Sequence, residues 1–194
     1  KDKLEFVRDD KDNVFYMLGM ASVILLTLYM YFNSTAYSII DVNFLPATLV
    51  LMGNIFIHEF GHVLFLKIFY PKSKVKIGFK FIFIWPAFYV DTSYSYMVSK
   101  YKRIAIYMAG NFMNCVYVLF VLFFARSQLP YCYLVVTNIL VNFVPIVKSD
   151  GYYAVVTLLN RTNMKKGKAA TTIEDSIRGL IMFIVLGIFS WLSH

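Results

Sequence analysis

The chain has 194 residues, of which 59% are hydrophobic and 15% charged, with a mean hydropathy of +0.63 and a formal net charge of +8. Its length fits one domain, but this apolar excess excludes an ordinary soluble globule and describes an integral membrane protein. The basic residues fall in short segments between apolar runs, which reads as topology signalling and not as a nucleic-acid surface.

Residues 1–13 form a charged tail, and residues 14–32 an uncharged apolar run of the length one helix needs to cross a bilayer. That run follows a mixed-charge stretch and is as long as a true span, so it reads as a membrane helix and not as a cleavable signal. After a polar break at Asn33, Ser34 and Thr35, a second span is predicted over 44–69, interrupted only by a polar cluster and Lys67. Residues 74–98 alternate lysine with apolar residues before an aromatic run, with Gly78 and Pro86 as punctuation, which predicts strands, read as a hairpin. Further spans are expected over 104–125, 131–147 and 179–192, with a polar, basic segment between the last two. The expected fold is therefore an all-α polytopic membrane protein of about five spans, with a small membrane-associated β-hairpin and residues 14–194 forming one domain. Cys115 and Cys132 lie in or beside apolar runs without paired spacing, so buried free thiols are expected.

Lys and Arg concentrate in cytoplasmic loops. With the N-terminus cytoplasmic, every Lys and Arg except Arg126 falls on that side, 18 of the 19.

The polar cluster in the second run is His58-Glu59-Phe60-Gly61-His62, the pattern H-E-x-x-H, and it uses two of the chain's three histidines. On a helix, residues four apart share a face with Cβ atoms about 5–6 Å apart, so His58 and His62 can ligate one Zn²⁺. Glu59 then sits beside the metal, placed to take a proton from a bound water and return it to a departing amine. The competing reading is a membrane helix that merely carries polar residues. Ionisable side chains at membrane depth cost about 2.5–3.5 kcal/mol each, so three in one turn call for a partner that a cation would supply.

A catalytic zinc needs three protein ligands and an open fourth position. Asp150 is the best candidate for the third. The second span runs inward and reaches His58 roughly 21 Å from its start, and the fourth, also inward, ends near Asp150 at a similar depth. Glu174 and Asp175 belong to a solvated loop, Asp41 lies on the wrong side, Asp91 follows the hairpin, and His194 is the last residue. The plain alternative for Asp150 is a juxtamembrane carboxylate paired with Lys148.

The helix motif and the run Asn142-Phe-Val-Pro145-Ile-Val-Lys-Ser-Asp150-Gly151 together resemble the site-2 protease family of intramembrane zinc metalloproteases, whose second motif is N-x-x-P-x-x-x-x-D-G. Ala109-Gly110-Asn111-Phe112-Met113-Asn114 is similar to that family's A-G-P-x-x-N motif, with Asn111 in place of proline. Ala109 and Gly110 permit close helix approach, and the asparagines should bond across helices. Asp150-Gly-Tyr-Tyr153, Tyr89-Val-Asp91 and Lys102-Arg103 look like the branch of peptide zinc metalloproteases associated with bacterial peptide or bacteriocin maturation and export. The resemblance implies a zinc metalloendopeptidase with His58, His62 and Asp150 on Zn²⁺ and Glu59 as general base. It implies Asn142, and with it Asn114, at the substrate or oxyanion. It also implies a bacterial cell membrane location, a membrane-embedded or membrane-associated peptide substrate, and a peptide-export system as partner. About forty residues separate the zinc motif from the third span, too few for a PDZ-like module beside the hairpin.

Two other classes compete. A catalytically silent relative that binds a peptide for an export partner would be marked by loss of Glu59 or a ligand, and neither is lost. A metal transporter would place ionisable residues along a path through the membrane, and here they fall at one depth.

Overall fold

The computed structural model describes residues 14–34, 43–82, 85–143 and 149–159. Helix α1 spans Phe15–Ser34 and α2 Phe44–Phe69. A two-stranded antiparallel sheet follows, β1 at Ile77–Ile82 and β2 at Trp85–Val90, paired from Ile77 with Val90 to Ile82 with Trp85. Helix α3 spans Lys100–Phe124, α4 Cys132–Phe143 and α5 Asp150–Leu158, with short 3₁₀ turns at Ser93–Met97 and Arg126–Tyr131.

Helix α3 is the hub. It packs against α1, α2, α4 and α5, and the most apolar stretch of α3 is 61% buried, against 22% for α1 and 28% for α2. Small residues make that position possible. Ala105 and Ala109 are fully buried on α3, and a Cβ added to Gly61 of α2 would lie 2.6 Å from the Ala109 carbonyl oxygen. At that approach the two backbones nearly touch, as small residues allow between helices in lipid.

The outer faces of α1 and α2 remain apolar: Leu25, Tyr29, Leu49, Phe56 and Phe60 are all more than half exposed. A soluble protein rarely shows so large a contiguous apolar surface. Helices α1, α2 and α3 are long and apolar enough to cross a membrane.

The expected spans over 14–32, 44–69 and 104–125 correspond to these three helices. The expectation of about five spans is not met among the described residues. Helix α4 has 12 residues, below the roughly 20 needed to cross, and 144–148, the tail 1–13 and the span expected over 179–192 lie outside the described residues. Asp150, expected at the end of the fourth span, is instead the first residue of a separate helix, α5. The β region expected over 74–98 is narrower: after Asp91 the chain turns through a 3₁₀ segment. Asp91 drives that turn, accepting hydrogen bonds from the Ser93 hydroxyl and from Ser93 N at 3.0 Å. Those donors hold its carboxyl below the usual carboxylate range.

Beyond α2, Lys67 donates to the carbonyl oxygens of Pro71 and Ser73, fastening the turn toward β1. Ahead of α3, Arg103 donates to the carbonyls of Ser95, Tyr96 and Val98. The segments on either side of the hairpin are thereby fastened to α2 and α3.

Candidate metal centre

One turn of α2 carries His58 and His62, both buried, with Glu59 between them half-buried. Their four-residue spacing puts both imidazoles on the face turned to α3, and their Nε2 atoms lie 3.4 Å apart. Asp150 enters from α5, its Oδ2 2.9 Å from His58 Nε2 and 3.4 Å from His62 Nε2. Three ligands at about 2.0–2.1 Å from one tetrahedral zinc would stand about 3.3 Å apart. The two 3.4 Å separations match that triangle, and the donor set of two imidazoles and a carboxylate suits a catalytic zinc.

Each ligand is seated by a local device. His62 Nδ1 is 2.8 Å from the carbonyl oxygen of Ile106, so Nδ1 carries the hydrogen and Nε2 presents its lone pair to the cluster. His58 lies with its ring against the backbone of Gly110, where any Cβ would meet the imidazole. Its Nδ1 is 3.2 Å from the side-chain nitrogen of Asn114. Asp150 is set by its neighbours. Ser149 caps α5, accepting from Tyr152 N and donating to the Asn142 carbonyl oxygen at 2.8 Å. Gly151 lets the first turn of α5 lie on the Asn142 carbonyl, a position a Cβ would fill. The described ends of the motif, Asn142 and Ser149 to Gly151, therefore meet, and Asp150 lies at that contact.

Glu59 stands apart from the ligand triangle. Its Oε2 accepts a 2.8 Å hydrogen bond from Val90 N. Asp91 N bonds to the carbonyl of Lys76, the residue before β1, so Val90, one residue earlier, turns its N–H to the edge of β2 that pairs with no other strand among the described residues. The general-base candidate is thus held by the sheet edge. A cavity of about 630 Å³ joins the two, lined among others by His58, Glu59, Val90, Asn138, Asn142 and Asp150.

Asn142 is buried at the cavity wall, its amide nitrogen 3.3 Å from Asn111 Oδ1 and 3.5 Å from Asn138 Oδ1. Asn111, where the resembled motif has proline, thereby links α3 to α4. Asn114 does not line the cavity; it sits fully buried behind His58. Asp91 lines the cavity but is not in the ligand cluster, while Asp41, Lys148, Glu174, Asp175 and His194 lie outside the described residues. Among residues that the sequence reading did not single out, Asn138 carries a signal in hindsight, one helical turn before Asn142. The Ile106 carbonyl and the Val90 N–H carry none, because both are main-chain groups whose role depends on what packs beside them.

Fold and site together describe a helical protein with three helices fit to span a membrane and a buried two-histidine, one-carboxylate cluster able to hold a metal. The chain is similar to YydH of Bacillus subtilis (strain 168), a protein provisionally named as a peptide zinc metalloprotease, with 33% identity over 114 residues. That match covers 55% of this chain and 45% of the relative, so the chain spans less than half the length of the relative it matches. The similarity relates the chain to zinc metalloproteases. No family model matches the chain, and no solved structure matches it.

Proposed function

We propose that this protein is an intramembrane zinc metalloprotease of the site-2 protease type, of the branch associated with bacterial peptide maturation and export. The observation that carries the reading is the ligand triangle of His58, His62 and Asp150 with Glu59 beside it, opening on a cavity shared with the open edge of β2. It lies in a bacterial cell membrane with its N-terminus cytoplasmic, and its substrate is a membrane-embedded or membrane-associated peptide delivered to or from an export system.

His58, His62 and Asp150 would hold a zinc ion, which when bound would supply Lewis acidity and a more acidic water, with a pKa of about 7. Glu59 takes the proton of the attacking water and passes it to the departing amine. Its Oε1 has no hydrogen-bond partner among the described residues, while Oε2 is fixed by Val90 N. Asn142, on the cavity wall beside Asn138, is the donor to the developing oxyanion once it gives up its 3.5 Å bond to Asn138 Oδ1. A helical substrate hides its amides in internal bonds, so the segment to be cut must be extended first. The open edge of β2 offers backbone partners for such a strand. Its Val90 donor serves either the strand or Glu59, so an incoming peptide reaching that position releases the base.

Cleavage of a membrane-embedded candidate peptide by the wild type and Glu59→Gln in detergent, with bound zinc quantified in both, tests the proposal. Near one zinc per chain in both, with cleavage by the wild type alone, is the expected result. Zinc in both and cleavage of no peptide in a broad panel would instead favour a catalytically silent peptide-binding protein.

A further inference from the structure

We propose that Asn114 is a positioning residue of the metal centre: its side-chain oxygen takes the Nδ1 hydrogen of His58 and fixes the tautomer that leaves Nε2 free for the metal. This role rests on the zinc reading above and assigns Asn114 work other than contact with substrate.

The two histidines are held differently. His62 Nδ1 faces a main-chain carbonyl, which can only accept, so its tautomer is settled by the fold. His58 Nδ1 faces the amide of Asn114, whose two ends have opposite character. With the nitrogen end toward the ring, Asn114 donates to Nδ1, and Nε2 carries the hydrogen. That hydrogen then goes to Asp150 Oδ2 at 2.9 Å, closer than the 3.4 Å between His62 and Asp150. The arrangement is a closed metal-free set in which Asp150 takes the hydrogen that a cation would displace.

A metal on His58 Nε2 requires that nitrogen to give up its hydrogen while Nδ1 gains one, which leaves the ring neutral. An amide nitrogen cannot accept the new N–H. Asn114 Oδ1 can, and it is buried with no hydrogen-bond partner among the described residues. A half-turn of the amide about its last bond brings that oxygen to Nδ1. One residue thus satisfies His58 in both states, and an apolar residue of the same size would satisfy neither.

Gly110 supplies the second constraint. It lies one turn before Asn114 on α3, and the flat of the His58 ring rests on its backbone. The glycine sets the plane of the ring and Asn114 sets its rotation within that plane. Asn114 is fully buried and does not line the cavity, so it cannot reach a peptide.

The test uses the full chain in detergent, with zinc affinity measured by competition against a chelating dye and cobalt(II) absorption reporting ligand geometry. Asn114→Leu should bind zinc about 10–100-fold more weakly, as loss of a hydrogen bond behind a ligand does elsewhere, with the cobalt bands altered. Asn114→Asp keeps the acceptor and should bind as tightly as wild type or more so. Zinc binding by Asn114→Leu within twofold of wild type, or a tenfold loss in Asn114→Asp, overturns the role. If Asn114→Leu does not fold, Asn114→Asp decides by itself. Wild type that binds no zinc, or His58→Ala that binds it unchanged, overturns the metal centre and this role together, whereas the Asn114 outcomes leave the metal centre standing.

Discussion

Replacing Gly110 by alanine should damage the metal centre more than the fold. The added Cβ would sit 2.5 Å from Cε1 of His58 and closer still to Nε2. Carbon atoms settle about 3.5–4.0 Å apart, so ring or backbone must move by about 1 Å or more. The ring has little room, since Asn114 and Asp150 bond its two nitrogens. Overpacking of this kind costs about 1–3 kcal/mol, and alanine's helix propensity returns about 1 kcal/mol, so the metal-free protein should lose only about 0–2 kcal/mol. A ligand displaced by close to 1 Å should weaken zinc about a hundredfold. A hundredfold weaker site removes about 2.7 kcal/mol of the stabilisation that zinc gives at a fixed concentration. The assay is a zinc competition titration together with thermal unfolding, with and without zinc, of wild type, Gly110→Ala and Gly19→Ala. Gly19 has nothing within 4 Å of its added Cβ and should match wild type in zinc affinity while gaining up to about 1 kcal/mol of stability from helix propensity. Zinc affinity of Gly110→Ala within twofold of wild type would refute the packing argument.

Ser149→Ala removes the α5 cap and the bond to the Asn142 carbonyl. It should cost about 1 kcal/mol by the usual value of a cap, and weaken zinc several-fold in the same titration because Asp150 loses its seat. A zinc chelator should abolish peptide cleavage, and added zinc should restore it, measured on one detergent sample before and after. Hydrogen bonds from Ser93 depress the Asp91 carboxyl, so the stability of that turn is present above the ordinary aspartate pKa and lost as pH falls through the lowered value. The protection of the Ser93 amide against hydrogen exchange, relative to its intrinsic rate at each pH, should therefore hold at neutral pH and fall only below about pH 4; no change in protection across that range would count against the Asp91 anchor. Leu25, exposed in the middle of α1, should not tolerate arginine, which costs about 2.5–3.5 kcal/mol at the centre of a membrane helix. Phe15, exposed at the helix end, should tolerate it, as read by membrane fractionation of both variants.

The ligand helix was legible because its information is local. His58, Glu59 and His62 carry their spacing with them, and α2 forms over the residues expected. Asp150 was found through depth and resemblance, and the structure brings it to the histidines, although on a helix of its own. That boundary was not legible because Ser149 caps α5 only when its hydroxyl also finds the Asn142 carbonyl, a contact seven residues back. The motif of Gly110 and Asn114 was visible as small and polar residues suited to helix contact. Its partner was not visible, because sequence does not say which imidazole a glycine on another helix will carry. The hydrogen bond from Val90 to Glu59 depends on which edge of the hairpin faces α2, and no side-chain pattern encodes that.

Helix α3 supplies no metal ligand and no base, yet the three elements bearing His58, Asn142 and Asp150 all lean on it. A genetic screen scored on lost activity should therefore return a cluster of hits along α3, at Ala105, Ala109, Gly110, Asn111 and Asn114. Such a map would peak on a helix with no reactive group. Suppressors should arise on α2 at side chains facing those residues that can become smaller, and not at Gly61, which has no side chain to give up, because a shift of the shared frame can be answered only from the side that leans on it.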